Sequence, residues 1–345
     1  MRPGLRVPQR RDLGGTDGRC HHRGSHPRSV VRDAGGITVQ SRYRILLPVV
    51  SLAVLLAATF YMQPRTMSYF GVNLLFNLAV PIALATVAQM MIIMVNDIDL
   101  GMGAFVSLVA CIAATYLEQT PLVGALMLLA LIAAYAGMGA LIHRLELPAI
   151  VVTLGMSFVW GGMALYILPT PGGASPGWLR GIMTTKPPLV PMAVVAAIVI
   201  SVATHLLIVQ SGLGTVLRGV GGNARAVHRA GWSVIALKAL AYGLAGLFAV
   251  LAGLALVGLA TAADANIALR YTLLSIAGVI LGGGEFIGGR VSPTGAVIGA
   301  LTLTLAASIL NFMRLSPDWQ IGAQGAILIL VLMARLIFTR REART

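Results

Sequence analysis

From Ile45 to Phe338 the chain alternates long apolar stretches with short polar connections. An α-helix rises 1.5 Å per residue, so roughly 20 apolar residues cross a hydrocarbon layer about 30 Å thick. Ten stretches approach that length: 45–63, 71–95, 101–117, 121–142, 149–168, 190–209, 236–260, 267–284, 294–313 and 320–338. Backbone exposed to lipid must satisfy its own hydrogen bonds, so each stretch is predicted to be a helix. A β-barrel would need short segments of alternating polarity, and a run such as Ala193–Ile200 shows none. The pattern therefore predicts an all-α integral membrane protein, a bundle of about ten transmembrane helices over residues 45–338.

Composition agrees with that picture. Hydrophobic residues make up 57% of the chain and charged residues 10%, against about 25% charged in a soluble domain. The net charge of +14 would suggest a nucleic-acid partner if it were clustered on a folded domain, but it has two separate origins. Residues 1–44 hold ten arginines against three aspartates, and the remainder holds 15 basic against 8 acidic residues, so each part contributes +7. When alternate connections of the membrane part are assigned to opposite sides, ten basic residues, among them Arg144, Arg218, Arg225, Arg229 and Arg290, fall on one side. Five fall on the other: Arg65, Arg180, Lys186, Arg270 and Arg314. The positive-inside rule then puts both termini, the 1–44 tail and the short 339–345 tail, in the cytoplasm. No nucleic-acid partner is expected.

The 1–44 segment is rich in Arg, Gly and His without apolar periodicity, and is expected to be a disordered basic tail. It lacks the apolar core of a secretory signal, and its foreign composition places the expected translation start nearer Ile37. His21, His22 and His26 have no Cys, Asp or Glu at ligand spacing, and Cys20 and Cys111 lie far apart, so neither a metal centre nor a disulfide is expected.

Two connections stand out by length. Residues 169–189, on the outer side, carry five prolines and four glycines, which exclude a continuous helix; they could form a docking surface or a plain linker. Residues 210–235, on the inner side, carry several basic residues and read Ser211-Gly-Leu-Gly-Thr-Val-Leu-Arg218-Gly-Val-Gly221-Gly222-Asn223-Ala-Arg225-Ala226-Val-His-Arg-Ala-Gly231-Trp232. The G-x-G-x-x-A spacing from Gly219 to Ala224 is not a dinucleotide fingerprint, because no strand precedes it and no βαβ unit fits between two spans. A phosphate-binding loop needs Gly-Lys followed by Ser or Thr, and the two lysines, Lys186 and Lys238, stand before proline and alanine.

The 210–235 segment resembles the cytoplasmic coupling loop of ribose/monosaccharide-type permease subunits of ATP-binding-cassette (ABC) importers, whose pattern is roughly R-A-x-G-G-N-x-x-A-A-x-x-x-G. Arg218, Gly221, Gly222, Asn223, Ala226 and Gly231 match, while Gly219 and Val227 depart from its two other alanines. Further matches are Ile98-Asp99-Leu100-Gly101-Met102-Gly103 to I-D-L-S-V-G, Pro148 through Gly155 to P-x-x-x-x-T-L-G, Leu281 through Arg290 to L-G-G-x-x-x-x-G-G-R, and Pro317-Asp-Trp319-Gln320 to S-P-x-W-Q. Several motifs in fixed order are more specific than any one. Where Asn96-Asp97 stands, that pattern has Gly-Gly.

The resemblance implies a multi-pass permease of the bacterial inner membrane that forms the path for a monosaccharide or similar small polar solute. It also implies an ABC ATPase subunit, an extracytoplasmic substrate-binding protein, and a second permease copy as homodimer or a related permease. Arg218, Gly221, Gly222, Asn223, Arg225, Ala226 and Gly231 would couple the chain to the ATPase, with glycines bounding a short helix and Gly222 needing positive φ or close approach. No paired carboxylates, nucleophile–base pair or metal cluster occupies a plausible site, so the chain is expected to be non-catalytic and to bind no cofactor. Rival readings are a branched-chain amino-acid permease, against which the R-x-x-G-G-N loop argues, and an ion-driven transporter, which would bury ionisable groups at mid-membrane.

For the solute path, polar residues inside spans are the candidates, since lipid penalises them. Asn73 and Asn77 share a helix face, Pro81 should kink the helix beyond them, and Gln89 lies further in. Bonds between helices would explain them equally. Trp160 and Tyr166 could stack on a sugar or simply mark an interface. Asp97 and Asp99 are expected to cap the third span, and the pairs Gly278/Gly282, Gly284/Gly288 and Gly295/Gly299 to form packing seams.

Overall fold

The structure, a computed structural model, describes residues 34–313 except residue 261, with scattered positions beyond. The 1–33 part of the basic tail, most of the 320–338 stretch and the C-terminal tail lie outside the described residues. Among the described residues the chain is all helical. Its helices are α1 (Ala34–Met62), α2 (Tyr69–Asn77), α3 (Ala79–Ile93), α4 (Met102–Tyr116), α5 (Pro121–Arg144), α6 (Ala149–Ile167) and α7 (Gly177–Thr184). They continue as α8 (Met192–His205), α9 (Gly212–Arg229), α10 (Val234–Leu259), α11 (Tyr271–Leu281) and α12 (Pro293–Phe312).

Six of the described segments are long and apolar enough to cross a membrane: Tyr69–Ile93, α5, α6, Met192–Gln210, α10 and α12. Three shorter apolar helices, Pro48–Met62, α4 and α11, stand at further predicted stretches. The second predicted span is divided into α2 and α3 at Leu78. Pro81 explains the position: it has no N–H for the carbonyl of Asn77, and its ring crowds that carbonyl.

Every residue of α3 is buried, and its neighbours are α10, α11, α12 and α8. A helix apolar on all sides belongs at the centre of a bundle. The Tyr69–Ile93 span is 89% buried, while α6 and the Met192–Gln210 span are 17% and 22% buried, so these two form the outer layer. They turn residues such as Val151, Phe158, Val199 and Val202 outward, where lipid rather than water must be the solvent. Serines cap several helix starts: Ser68, Ser211, Ser233 and Ser292 each accept a bond from the backbone N–H three residues on.

Two glycine pairs form the expected seam. A Cβ on Gly282 or Gly299 would collide with the backbone of Gly295 or Gly278 across the α11–α12 contact, so the helices meet main chain to main chain. Gly284 and Gly288 do not belong to it, because they lie past the end of α11 in a turn where Gly283, Gly288 and Gly289 all have positive φ. The 169–189 connection is not wholly irregular: α7 sits between Pro176 and Pro187 and packs against α10. Gly172 and Ala263 exchange both backbone bonds, at 2.9 and 2.8 Å, tying this connection to the segment after α10.

Candidate coupling site

The 212–229 helix is two helices joined at Asn223, whose φ of −160° and ψ of 91° leave the helical region. The Asn223 side chain accepts a bond from the N–H of Ala226 at 3.0 Å, so Asn223 is the N-cap of the second, shorter helix. At its far end Gly231 takes φ +89°, the N–H of Gly231 bonds the carbonyl of His228, and that of Trp232 bonds the carbonyl of Val227. This is a Schellman termination, in which glycine supplies the left-handed residue. Between cap and termination stands an exposed arch that presents Gly222, Asn223, Arg225, Ala226 and Gly231. Beside it a cleft of about 650 Å³ is lined by His143, Arg225, His228, Arg229 and Trp232, among others.

Gly221 is the buried heel of this arch. A Cβ there would collide with the carbonyl of Met94 and lie 2.8 Å from Cα of Gly289, whereas a Cβ on Gly222 would find nothing closer than 3.7 Å. The expectation that Gly222 is the constrained glycine is corrected: Gly222 is exposed, it is absent from the positive-φ glycines, and the close approach belongs to its neighbour. Arg218 is half-buried and folds back along α9, with Nε donating to Gly214 O at 3.3 Å and Nη2 to Thr215 Oγ1 at 3.4 Å.

The four residues considered for the solute path do not form one surface. Asn73 is buried with an unpartnered Oδ1, and Asn77 is half-buried on the same short α2. Gln89 lies 16 residues further in, about 24 Å along a helix at 1.5 Å per residue. It is fully buried, and with its amide oriented to satisfy both partners it donates to Asp99 O at 3.3 Å and accepts from Asp99 N at 3.2 Å. Trp160 is buried as well, edge-on to Phe105 at 5.5 Å and stacked on Tyr135 at 6.5 Å. Gln89 and Trp160 thus join one internal cluster around Asp99, while Tyr166 is 89% exposed on the outer layer.

Asp99 and Asp97, both expected to cap the same helix, have different roles. Asp99 accepts from Gly101 N at 2.6 Å, just ahead of α4, and from the Tyr135 hydroxyl. It lies in the connection between α3 and α4, and burial pushes its carboxyl up to about 6 against the opposing pull of those two bonds. Thr153 joins the same corner: its hydroxyl accepts from Leu100 N at 3.1 Å and donates to Ile98 O at 3.3 Å, which brings two of the sequence motifs together. Asp97 caps nothing. It forms an ion pair with Lys238 of α10 at 2.8 Å and accepts from the Tyr242 hydroxyl at 3.2 Å. Sequence reasoning missed the roles of Asn96, Tyr135, Lys238 and Tyr242; the visible signals were Asn96, where the sugar-type pattern has glycine, and Lys238, a rare lysine at the start of a span.

Among the described residues no group of three or more His, Cys, Asp or Glu side chains could hold a metal ion. The chain is 29% identical over 295 residues to the ribose import permease protein RbsC of Escherichia coli (strain K12), covering 82% of this chain and 91% of that one. It is 28% identical over 320 residues to the galactose/methyl galactoside import permease protein MglC of Salmonella typhimurium, covering 85% and 94%. It is 28% identical over 314 residues to the probable ABC transporter permease protein y4mJ of Sinorhizobium fredii, covering 88% and 93%. No solved structure matches it. Residues 71–332 match the family described as branched-chain amino acid transport system / permease component, and because this takes in most of the chain, the chain belongs to that family.

Proposed function

We propose that this chain is the permease subunit of an ABC importer in the bacterial inner membrane, and that it carries a monosaccharide or similar small polar solute. The observation that supports this best is the arch of α9. Its exposed face has the residues of a sugar-type coupling loop, and its heel is seated backbone to backbone on the end of the central helix. A soluble ATPase pressing on the arch would move α3 with it, as rigid-body coupling requires. Permeases named for ribose and galactose among the similar proteins favour a sugar as the solute.

The proposal extends to ten spans with both termini in the cytoplasm, a second permease copy or a related permease, an ATPase subunit and an extracytoplasmic binding protein. Hydrolysis belongs to the ATPase, and the chain itself needs no cofactor. Arg218, Gly221, Gly222, Asn223, Arg225, Ala226 and Gly231 form the coupling element, with Gly221 as its anchor. The family description favours a second reading, a branched-chain amino acid as solute.

The test is ATP-dependent uptake by liposomes holding the chain co-purified with its ATPase, supplied with its binding protein and labelled ribose, galactose or leucine. Uptake of a sugar is expected. Uptake of leucine alone would transfer the assignment to the second reading, and solute movement driven by an ion gradient without ATP would overturn both.

A further inference from the structure

Three segments far apart in the sequence meet at one side chain. Asn96 stands just beyond α3 with φ +64°, in the left-handed region. Asparagine tolerates this region better than other residues with a Cβ, and glycine tolerates it best. The turn by itself would therefore be served by the glycine of the sugar-type pattern. Asparagine adds an amide, and both ends of it are engaged. Nδ2 donates to the carbonyl of Gly221 in α9 at 2.6 Å, and Oδ1 accepts from the N–H of Gly288 at 3.1 Å.

The contact below that amide is rigid. Gly221 lies against the Met94 carbonyl and the Gly289 backbone, and a Cβ on Gly289, at φ +66°, would collide with the carbonyl of Arg218. The next residue fixes the turn to α10, through the Asp97–Lys238 ion pair and the Tyr242 hydroxyl. The covalent links of α9 lie elsewhere. Residues 206–210 form a π-helical turn between α8 and α9, and the 230–233 turn into α10 is exposed throughout.

We propose that Asn96 is a positioning residue for transport: its amide carries displacement of the α9 arch into α3. This rests on the reading of α9 as the ATPase-facing element.

The test uses the full chain co-purified with its ATPase subunit, in liposomes with its binding protein and labelled ribose and galactose as probes. Asn96→Gly keeps the left-handed turn and removes both bonds. Asn96→Asp keeps the turn and the acceptor for Gly288 N–H but removes the donor to Gly221. Both variants are expected to unfold somewhat below the wild type yet stay folded in the assay and keep ATP hydrolysis, while sugar moved per ATP falls, by roughly tenfold for Asn96→Gly if its two bonds supply the coupling. Hydrogen exchange of the chain alone should quicken in 218–224 and 286–290 for Asn96→Gly, and only in 218–224 for Asn96→Asp. A side chain that serves the turn alone would leave sugar moved per ATP and exchange unchanged in both variants, and that result overturns the proposal. If Asn96→Gly does not stay folded in the assay, Asn96→Asp decides by the same two readings. A wild-type complex that neither hydrolyses ATP nor transports would instead overturn the proposed function, and this inference with it.

Discussion

Replacing Gly221 by alanine adds one methyl group at the point where α9 rests on the end of α3. The new Cβ would strike the Met94 carbonyl and lie 2.8 and 2.9 Å from Cα and N of Gly289. These are backbone atoms on two sides, so no side-chain rotation relieves the overlap and α9 must lift away from α3. Overpacking of this kind costs about 1–3 kcal/mol. Lifting also stretches the Asn96–Gly221 hydrogen bond, now 2.6 Å, which is worth roughly 0.5–1.5 kcal/mol. A loss of about 3 kcal/mol follows for Gly221→Ala. Gly222→Ala meets nothing nearer than 3.7 Å on an exposed surface, so its effect stays within about 1 kcal/mol, the difference in helix propensity. Thermal unfolding of the two purified variants in detergent, followed by tryptophan fluorescence, should show a clear drop for Gly221→Ala and little change for Gly222→Ala. Equal behaviour, or the larger drop at Gly222, would refute the seating of the arch described above.

Three further outcomes follow. Lys238→Met leaves Asp97, 10% exposed, with Tyr242 but without its counter-charge and should destabilise by about 3 kcal/mol, whereas adding Asp97→Asn should restore much of the loss; no recovery in the double variant would show that the pair does not act as a unit. The raised carboxyl of Asp99 favours the folded chain fully below pH 3.8, and the benefit is lost as pH rises through about 6. Unfolding temperature should therefore rise on acidification from pH 7 to 5 in the wild type and less so in Asp99→Asn, and identical pH profiles would count against the burial argument. Thr185→Cys and Ala226→Cys, both at exposed positions, test sidedness: an impermeant thiol reagent applied to intact cells should label the first and spare the second, and the reverse pattern would invert the topology.

Six of the ten predicted spans were legible as membrane-length helices because crossing a hydrocarbon layer leaves a signal that needs no partner: an apolar run of sufficient length. The break at Leu78 was legible too, since Pro81 acts on its own helix four residues back. The short helix bounded by glycine was legible at its far end, where Gly231 ends it locally, whereas the cap that Asn223 supplies at its start was not read. What carried the resemblance was the order of several motifs, and the structure gives that order a physical reason where Thr153 bonds Ile98 and Leu100 across a gap of more than 50 residues.

The misreadings share one cause, which is that a glycine or a carboxylate carries no mark of what lies against it. Gly221 and Gly222 are adjacent and identical in type, and only the approach of Met94 and Gly289, from two other segments, separates the anchor from the free position. Asp97 and Asp99 looked alike as caps, yet Asp97 is held by Lys238, 141 residues away, and Asp99 by Tyr135, 36 residues away. Asn96, where the sugar-type pattern has glycine, was seen only as a defect in that pattern. Its partners stand 125 and 192 residues off, so a sequence shows the departure without its compensation. The departure also constrains how the site must work. A glycine at that position would leave the contact to shape alone, whereas the asparagine adds a hydrogen bond at each end of its amide, so in this chain the contact between α9 and the central helix is fixed by side-chain chemistry as well as by shape.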